Sequence, residues 1–387
     1  MGGTSETGWA ILTGEYPPEP GGVSDYTRRL AQALARAGDA VEVWTPSHGR
    51  ETERDEGVVV HGLPDRYGPR SLAALQRGLS GRDGLRVLVQ WVPHAFGMGA
   101  MNVPFCAWLA ARRGPTWVMF HEVNFPLRRG ASLKHNVLAV MTHALSGVLA
   151  VRADRSFVST PAWRARLRVV APFAREATWL PIPSNLPEAV DAADVSRVCE
   201  RLGLGGDDVI VGSFGTYAPQ IAAKLADSLV ETLPRDPRRV ALLMGRGSVE
   251  FAERTLRPRL AAAKVTSTRV IAAGDLGVEE LAAHIAACSA LLQPYTDGVT
   301  TRRTTAMAGL ALGVPVITND GMLTESIWRD EPGVALAPSP EAIAREAEAF
   351  LTDAARLRRL GASGRALYQR RFSLACTVRN LRSGGES

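Results

Sequence analysis

Cysteine is scarce and scattered: four in 387 residues, at Cys106, Cys199, Cys288 and Cys376, with no CxxC pair. That spacing excludes a disulfide framework and a zinc set, and reads as buried thiols in a reducing compartment. Lysine occurs only at 134, 224 and 264, so arginine carries nearly all the positive charge. The longest uncharged stretch, 87–111, is broken by Pro93, His94, Asn102 and Pro104, a poor fit to the roughly 20 apolar residues of a membrane span. The opening MGGTSETG lacks the charged start and apolar core of a signal peptide. A cytoplasmic location is expected. No DxD pair occupies a suitable loop, since Asp207-Asp208 immediately precede a strand pattern, and no GxGxxG fingerprint occurs. With no acidic residue after the second strand to hold a ribose, a nicotinamide dehydrogenase is disfavoured.

What is present is ordinary for a folded protein, with 46% hydrophobic and 22% charged residues, and the length suits two or three domains. The net charge of +6 is uneven. Residues 101–185 hold eleven basic side chains against Glu122, Asp154 and Glu176, a local +8 that suits an anionic partner: phosphate, nucleic acid or a lipid surface. The competing explanation is an arginine-rich composition with no function attached. Short apolar runs alternate with helix-period segments: WAIL (9–12), AVEVW (40–44), RVLVQ (86–90), WVMF (117–120) and SFVS (156–159), with a helix over 23–37 ended by Gly38. PIPSNLPEAVDAAD (181–194) breaks the rhythm as a linker. It restarts at 208–215, 240–247, 269–277, 290–298, 314–321 and 333–338, with helix patterns at 219–233 and 278–288. This predicts an α/β chain of two Rossmann-like, doubly wound parallel sheets with a cleft between them, whose ligands sit beyond the carboxyl ends of the strands.

The loops there carry the chemistry. EYPPEPGGVSDYTRRLAQAL (15–34) opens a helix on Gly21-Gly22, suited either to an anion on free N–H groups or to a plain turn. This segment resembles the N-terminal portion of glycosyltransferase family 4, retaining enzymes with the two-domain GT-B fold. The resemblance implies a first domain over 1–187 that binds the acceptor, a nucleotide-sugar domain over 188–371, and a final helix over 372–387 returning to the first domain. It also implies that Gly21 and Gly22 face the donor phosphates, with Glu15 and Tyr16 beside the acceptor. In WVMFHEVNFP (117–126), His121 takes the place of the family's sugar contact, with Glu122 and His94 as further cleft residues; a histidine capping local backbone is the alternative. Asn185, in WLPIPSNLP (179–187), lines the cleft or makes a hinge turn. Gly215-Thr216 would pack on the diphosphate, although the family's Arg and Lys are missing there. The loops Gly245–Gly247 and 274–277, with Asp275 and Leu276, fall where the family cradles the base.

PYTDGVTTRRTTAMAGLALGVPVIT (294–318) is the most informative stretch. Asp297-Gly298 stands where the family has Glu-Gly, and Ala308 replaces the glutamate that holds the ribose. Arg302 and Arg303, at a predicted helix start, supply the charge missing after Gly215, unless they are a solvated basic turn. The expected activity is metal-independent, cofactor-free, retaining transfer of a sugar from a nucleoside diphosphate to a glycan, lipid-linked or small-molecule hydroxyl. His121, Arg302 and Arg303 would be catalytic, and the basic 101–185 region would be a possible peripheral contact with the inner face of the cell membrane. The alternatives are a GT-B protein that binds nucleotide or glycan without transfer, and a sugar-nucleotide epimerase or phosphorylase. Nucleic-acid binding lacks the aromatic-basic interleaving it would need.

Overall fold

The computed structural model describes residues 8–46, 52–265 and 267–383; the opening MGGTSET lies outside them. Contacts divide the chain into two units. One runs to Pro181 and takes in the chain again from Thr377; the other spans Ile182–Cys376.

In the first unit eight strands form one sheet: β1 (Gly8–Thr13), β2 (Ala40–Pro46), β3 (Glu53–Asp55), β4 (Val58–Leu63), β5 (Arg86–Trp91), β6 (Thr116–Phe120), β7 (Arg155–Val158) and β8 (Thr178–Trp179). Their order is β3-β4-β2-β1-β5-β6-β7-β8, and every pairing except β3 with β4 is parallel. The inner strands are apolar on both faces because helices cover both: five of the six residues of β1 and all five of β6 are buried. The helices are α1 (Gly22–Arg36), α2 (Pro69–Leu79), α3 (Val103–Ala111), α4 (Leu133–Arg152) and α5 (Pro161–Val170). Strand order reverses between β1 and β5, so the loops after them flank the crevice of this sheet.

The second unit is built on a six-stranded, wholly parallel sheet: β9 (Val209–Phe214), β10 (Arg239–Met244), β11 (Arg269–Gly274), β12 (Ala290–Gln293), β13 (Val316–Asn319) and β14 (Ala335–Ala337). The order β11-β10-β9-β12-β13-β14 is that of a dinucleotide-binding sheet and reverses between β9 and β12. Gln293 Nε2 donates to Phe214 O at 3.1 Å and ties the two strands at that point. The helices are α6 (Ala192–Leu202), α7 (Pro219–Thr232), α8 (Ser248–Phe251), α9 (Arg257–Ala262), α10 (Val278–Ala286), α11 (Thr304–Leu312), α12 (Ile327–Asp330), α13 (Ile343–Leu351) and α14 (Ala354–Leu367); α15 (Leu374–Arg382) begins here and belongs to the first unit from Thr377. A π-turn over 252–256 joins α8 to α9, and another over 368–372 follows α14.

The predicted doubly wound class is observed, with every predicted strand present within a few residues. Sequence reading passed over the β3–β4 hairpin, the two-residue β8, α2 and α6. The chain over 181–191 is free of strand and helix, but α6 begins at Ala192, inside the predicted linker. From Thr377 the chain belongs to the first unit, where Arg382 Nε lies 3.3 Å from the buried Asp39 carboxylate; residues 384–387 lie outside the described ones.

One polar cluster fastens the hairpin edge to α1. Asp55, on β3, accepts from Arg28 Nε and Nη2 at 2.7 and 2.9 Å, from Tyr16 Oη at 2.8 Å and from Gln32 Nε2 at 3.1 Å. Burial alone would raise its pKa, but these donors and the Arg28 charge hold it below the ordinary carboxylate value. A depressed folded-state pKa stabilises above the unfolded value of about 3.9, and that contribution is lost as pH falls through the folded one. Asp55→Asn is therefore expected to cost about 1–2 kcal/mol near pH 7. In urea titrations at stepped pH, wild type and variant should begin to approach each other below about pH 4 and meet only beneath the lower folded-state pKa.

Candidate functional site

In the second unit the predicted donor residues gather at the carboxyl edge of the sheet. The loops after β9, β10 and β11 touch in sequence. A Cβ on Gly245 would stand 2.5 Å from Gly215 O, and one on Gly247 3.4 Å from Thr216 O. Gly245 N donates to Gly274 O at 2.8 Å, and Arg246 lies 3.7 Å from Asp275 beside Leu276. Gly245 and Gly247 both adopt positive φ, which glycine accepts without strain. Gly215 departs from expectation in one respect. Its N–H donates to Met244 O at 3.2 Å, so its own amide is not available to a phosphate.

Across the reversal point lies the loop after β12. It is locked by its neighbours. Tyr295 N donates to Asn319 Oδ1 at 2.8 Å, Asn319 Nδ2 donates back to Tyr295 O at 2.9 Å, and Val299 N donates to Asn319 O at 3.0 Å. Gly298 is glycine for want of room: its φ is +89° and a Cβ would lie 2.1 Å from Thr324 Oγ1 and 2.5 Å from Gly321 N. The buried Thr301 then donates from N and from Oγ1 to Glu325, at 3.1 and 2.9 Å, and Ile182 N donates to Thr301 O at 3.2 Å. Glu325 is itself buried, and Trp328 Nε1 supplies a further donor at 2.8 Å.

That anchor sets Arg302 and Arg303 at the start of α11, whose N-cap, Arg303, makes no side-chain capping bond. The guanidinium of Arg303 lies 4.8 Å over the Tyr295 ring, with Asp297 at 3.9 Å. Asp297 thus stands as the counter-ion of Arg303; its negative charge does not suit a phosphate directly. Burial pushes the Tyr295 hydroxyl up to about 12, so it stays protonated, and it shares a 2.6 Å hydrogen bond with Thr305 Oγ1. Ala308, at the place of the family's ribose-holding glutamate, is fully buried within α11.

The first unit gathers its candidates at the corresponding edge. Gly14 is forced by contact, since a Cβ there would lie 2.4 Å from Ala95 Cβ, which brings the loops after β1 and β5 together. Glu15 reaches the start of α1, where its Oε1 accepts from Ser24 N at 3.1 Å and sits 2.6 Å from a Cβ built on Gly21. The protein's own carboxylate therefore occupies part of the anion position expected at Gly21, while the space beside Gly22 is open. Tyr16, expected beside the acceptor, has a buried ring and donates its hydroxyl to Asp55, which ties this loop to β3.

His121, just past β6, is buried and held from several sides. Nε2 lies 2.7 Å from Gln90 Oε1, Tyr26 stacks edge-on at 5.2 Å between ring centres, and Trp163 Nε1 donates to the His121 carbonyl at 2.9 Å. With the Gln90 oxygen as acceptor, Nε2 carries the proton. His94 and Glu122, from the loops after β5 and β6, lie 3.9 Å apart and partly exposed. Asn185 lies in the second unit, next to Ser184, whose N–H donates to Tyr368 Oη at 3.2 Å; Tyr368 Oη in turn donates to Glu188 at 3.0 Å.

Sequence reading missed Glu325, Gln90 and Asn319, and the bond that ties Thr301 to Glu325. A lone acidic residue in TESIW, after a strand, was the available signal for Glu325. Glu325→Ala strands buried donors on Thr301 and Trp328, and is expected to cost about 2–4 kcal/mol in chemical denaturation. Glu325→Gln, which keeps an acceptor oxygen, should recover about half of that loss.

Residues 21–184 match the family described as "Glycosyl transferase 4-like domain", and residues 228–383 match "Glycosyl transferase-like". No curated protein matches the chain in sequence. Solved structures resemble it over nearly its whole length. A sucrose-phosphate synthase from Thermosynechococcus elongatus has a TM-score of 0.70 at 20% identity, covering 97% of this chain and 98% of its own. The Anabaena protein HepE, in complex with UDP and glucose, has a TM-score of 0.67 at 16% identity, with 98% and 99% covered. A glycosyltransferase from Rickettsia africae has a TM-score of 0.70 at 12% identity, with 99% and 98% covered. The chain is thus built of a glycosyl transferase 4-like domain followed by a second glycosyl transferase-like domain, in the GT-B fold of glycosyltransferases.

Proposed function

We propose that this protein transfers a sugar from a nucleoside diphosphate donor to an acceptor hydroxyl, without a metal ion and with retention of configuration. The observation that carries the reading is the pair Arg302 and Arg303 at the start of α11, fixed by the buried Glu325–Thr301 contact beside the reversal point of the second sheet. Arginine there, with helix N–H groups, is a composition suited to a diphosphate. HepE binding UDP supports a nucleoside diphosphate as the ligand class.

As the bond from the sugar to the diphosphate breaks, negative charge builds on the departing phosphate. Two fixed guanidinium groups stabilise that charge more than they stabilise the intact donor, which is what lowers the barrier. The departing phosphate then accepts the proton of the attacking hydroxyl, and incoming and leaving groups share one face of the sugar. The glycine loops at Gly245, Gly247 and 274–277 hold the base and ribose, a duty Ala308 has no atoms to perform. His121, its Nε2 proton fixed by Gln90, serves the sugar through hydrogen bonding, and Glu122 and His94 serve the acceptor. The acceptor class is a glycan, a lipid-linked molecule or a small-molecule alcohol.

Changing Arg302→Ala together with Arg303→Ala is expected to lower transfer by at least about 10³-fold. Losing the Arg303–Tyr295 stacking costs about 1 kcal/mol, so the fold survives. Donor turnover followed by nucleoside diphosphate release, over a panel of UDP, GDP, ADP and TDP sugars, makes the test. Turnover unchanged in the double variant rejects the mechanism, and nucleotide binding with no release for any donor and acceptor rejects transfer.

A further inference from the structure

The solvent-facing side of α4 is apolar where a soluble helix carries charge. Leu133 (81% exposed), Val137, Val140, Ala144, Val148 and Val151 (61% exposed) all face solvent. At 100° per residue these six positions fall within an arc of roughly 80°. The stripe continues at both ends. Leu127 is exposed in the segment joined to the first turn of α4 by His135 Nε2 to Pro126 O at 2.9 Å and Arg128 N to Asn136 Oδ1 at 3.4 Å. At the other end, a Cβ on Gly147 would lie 2.9 Å from Val170 O, which sets the end of α5 against α4; Val169 (80%) and Phe173 (95%) stand exposed there. Contiguous exposed apolar surface of this kind marks an interaction face.

The charge around it selects the occupant. The helix carries Lys134, His135, His143 and Arg152 and no acidic residue, and Arg128 and Arg129 precede it. A second copy of the chain would set two such basic faces against each other, whereas an anionic bilayer neutralises them. Spanning is excluded, because among the described residues no helix is long and apolar enough to cross a membrane. We infer that the exposed face of α4, with Leu127, Val169 and Phe173, lies in the interface of an anionic lipid bilayer, its apolar side chains among the acyl chains and its arginines at the headgroups. None of these surface residues is among those assigned to sugar transfer, and the inference does not depend on that reading.

The test is co-sedimentation of the full chain with vesicles of phosphatidylcholine alone and with 30% phosphatidylglycerol. The expected result is at least tenfold stronger partitioning onto the anionic vesicles, falling as salt rises. Leu133→Ser with Val137→Ser should lower that partitioning at least fivefold, with thermal unfolding and donor turnover in detergent-free solution unchanged. Arg128→Ala with Arg129→Ala, which leaves the apolar face whole, should remove most of the salt dependence and keeps the test open if the first variant unfolds. Absent partitioning, or partitioning indifferent to salt and to both variants, overturns the inference. So does a wild-type dimer in sedimentation equilibrium that Leu133→Ser with Val137→Ser converts to monomer, which would assign the face to a second copy.

Discussion

A carboxylate buried away from water must find donors, and Glu325 finds them in Thr301 and Trp328. Those bonds fix the loop after β12 at the residue immediately before the two arginines. Without that anchor, the segment 299–303 would be a surface loop with two long, mobile side chains, and ordering them for the role proposed here would cost conformational entropy at the moment of binding. With it, the cost is met during folding. Gly298 and Gly321 complete the constraint from the other side, because the two backbones approach too closely there for any side chain.

The same geometry explains why the charge takes the form of arginine. Arg303 lies over the Tyr295 ring, a contact that a planar, weakly hydrated guanidinium makes well and an ammonium makes poorly. Stacked in this way, the group has its face covered by the ring while Nη2 lies 3.9 Å from Asp297. Asp297 moderates the local charge. Gly215 spends its amide inside the sheet, which is consistent with the proposal that positive charge for the donor comes from across the reversal point.

The fold was legible because parallel strands buried on both faces appear as unbroken apolar runs, and β1, β5, β6, β10 and β13 all do. The β3–β4 hairpin was not, since Glu53-Arg54-Asp55 is charged throughout and is a strand only because β4 pairs with it and α1 supplies Arg28 and Gln32 to Asp55. Site residues divide in the same way. The candidate glycines, His121 and the arginine pair follow strands in sequence, and that position is what singles them out. Glu325 and Gln90 act through partners 24 and 31 residues away, a distance that no local pattern encodes. The bond from Tyr16 to a strand 39 residues on is likewise invisible to a local pattern.

The arginine-rich composition has different consequences in the two units. In the second, nearly every arginine near the sheet is paired: Arg239 with Glu348, Arg269 with Asp208, Arg329 with Asp320. A pair consumes the charge locally and leaves little field beyond a Debye length. In the first unit, acidic residues are too few over 101–185 to pair the basic ones, and Arg155 and Arg166 lie over tryptophan rings instead. Cation–π stacking covers a guanidinium face without cancelling its charge. The field of that region therefore survives folding, on the same unit whose α4 leaves an apolar stripe in water, and a surface that is both basic and apolar is matched by a bilayer better than by water or by its own copy.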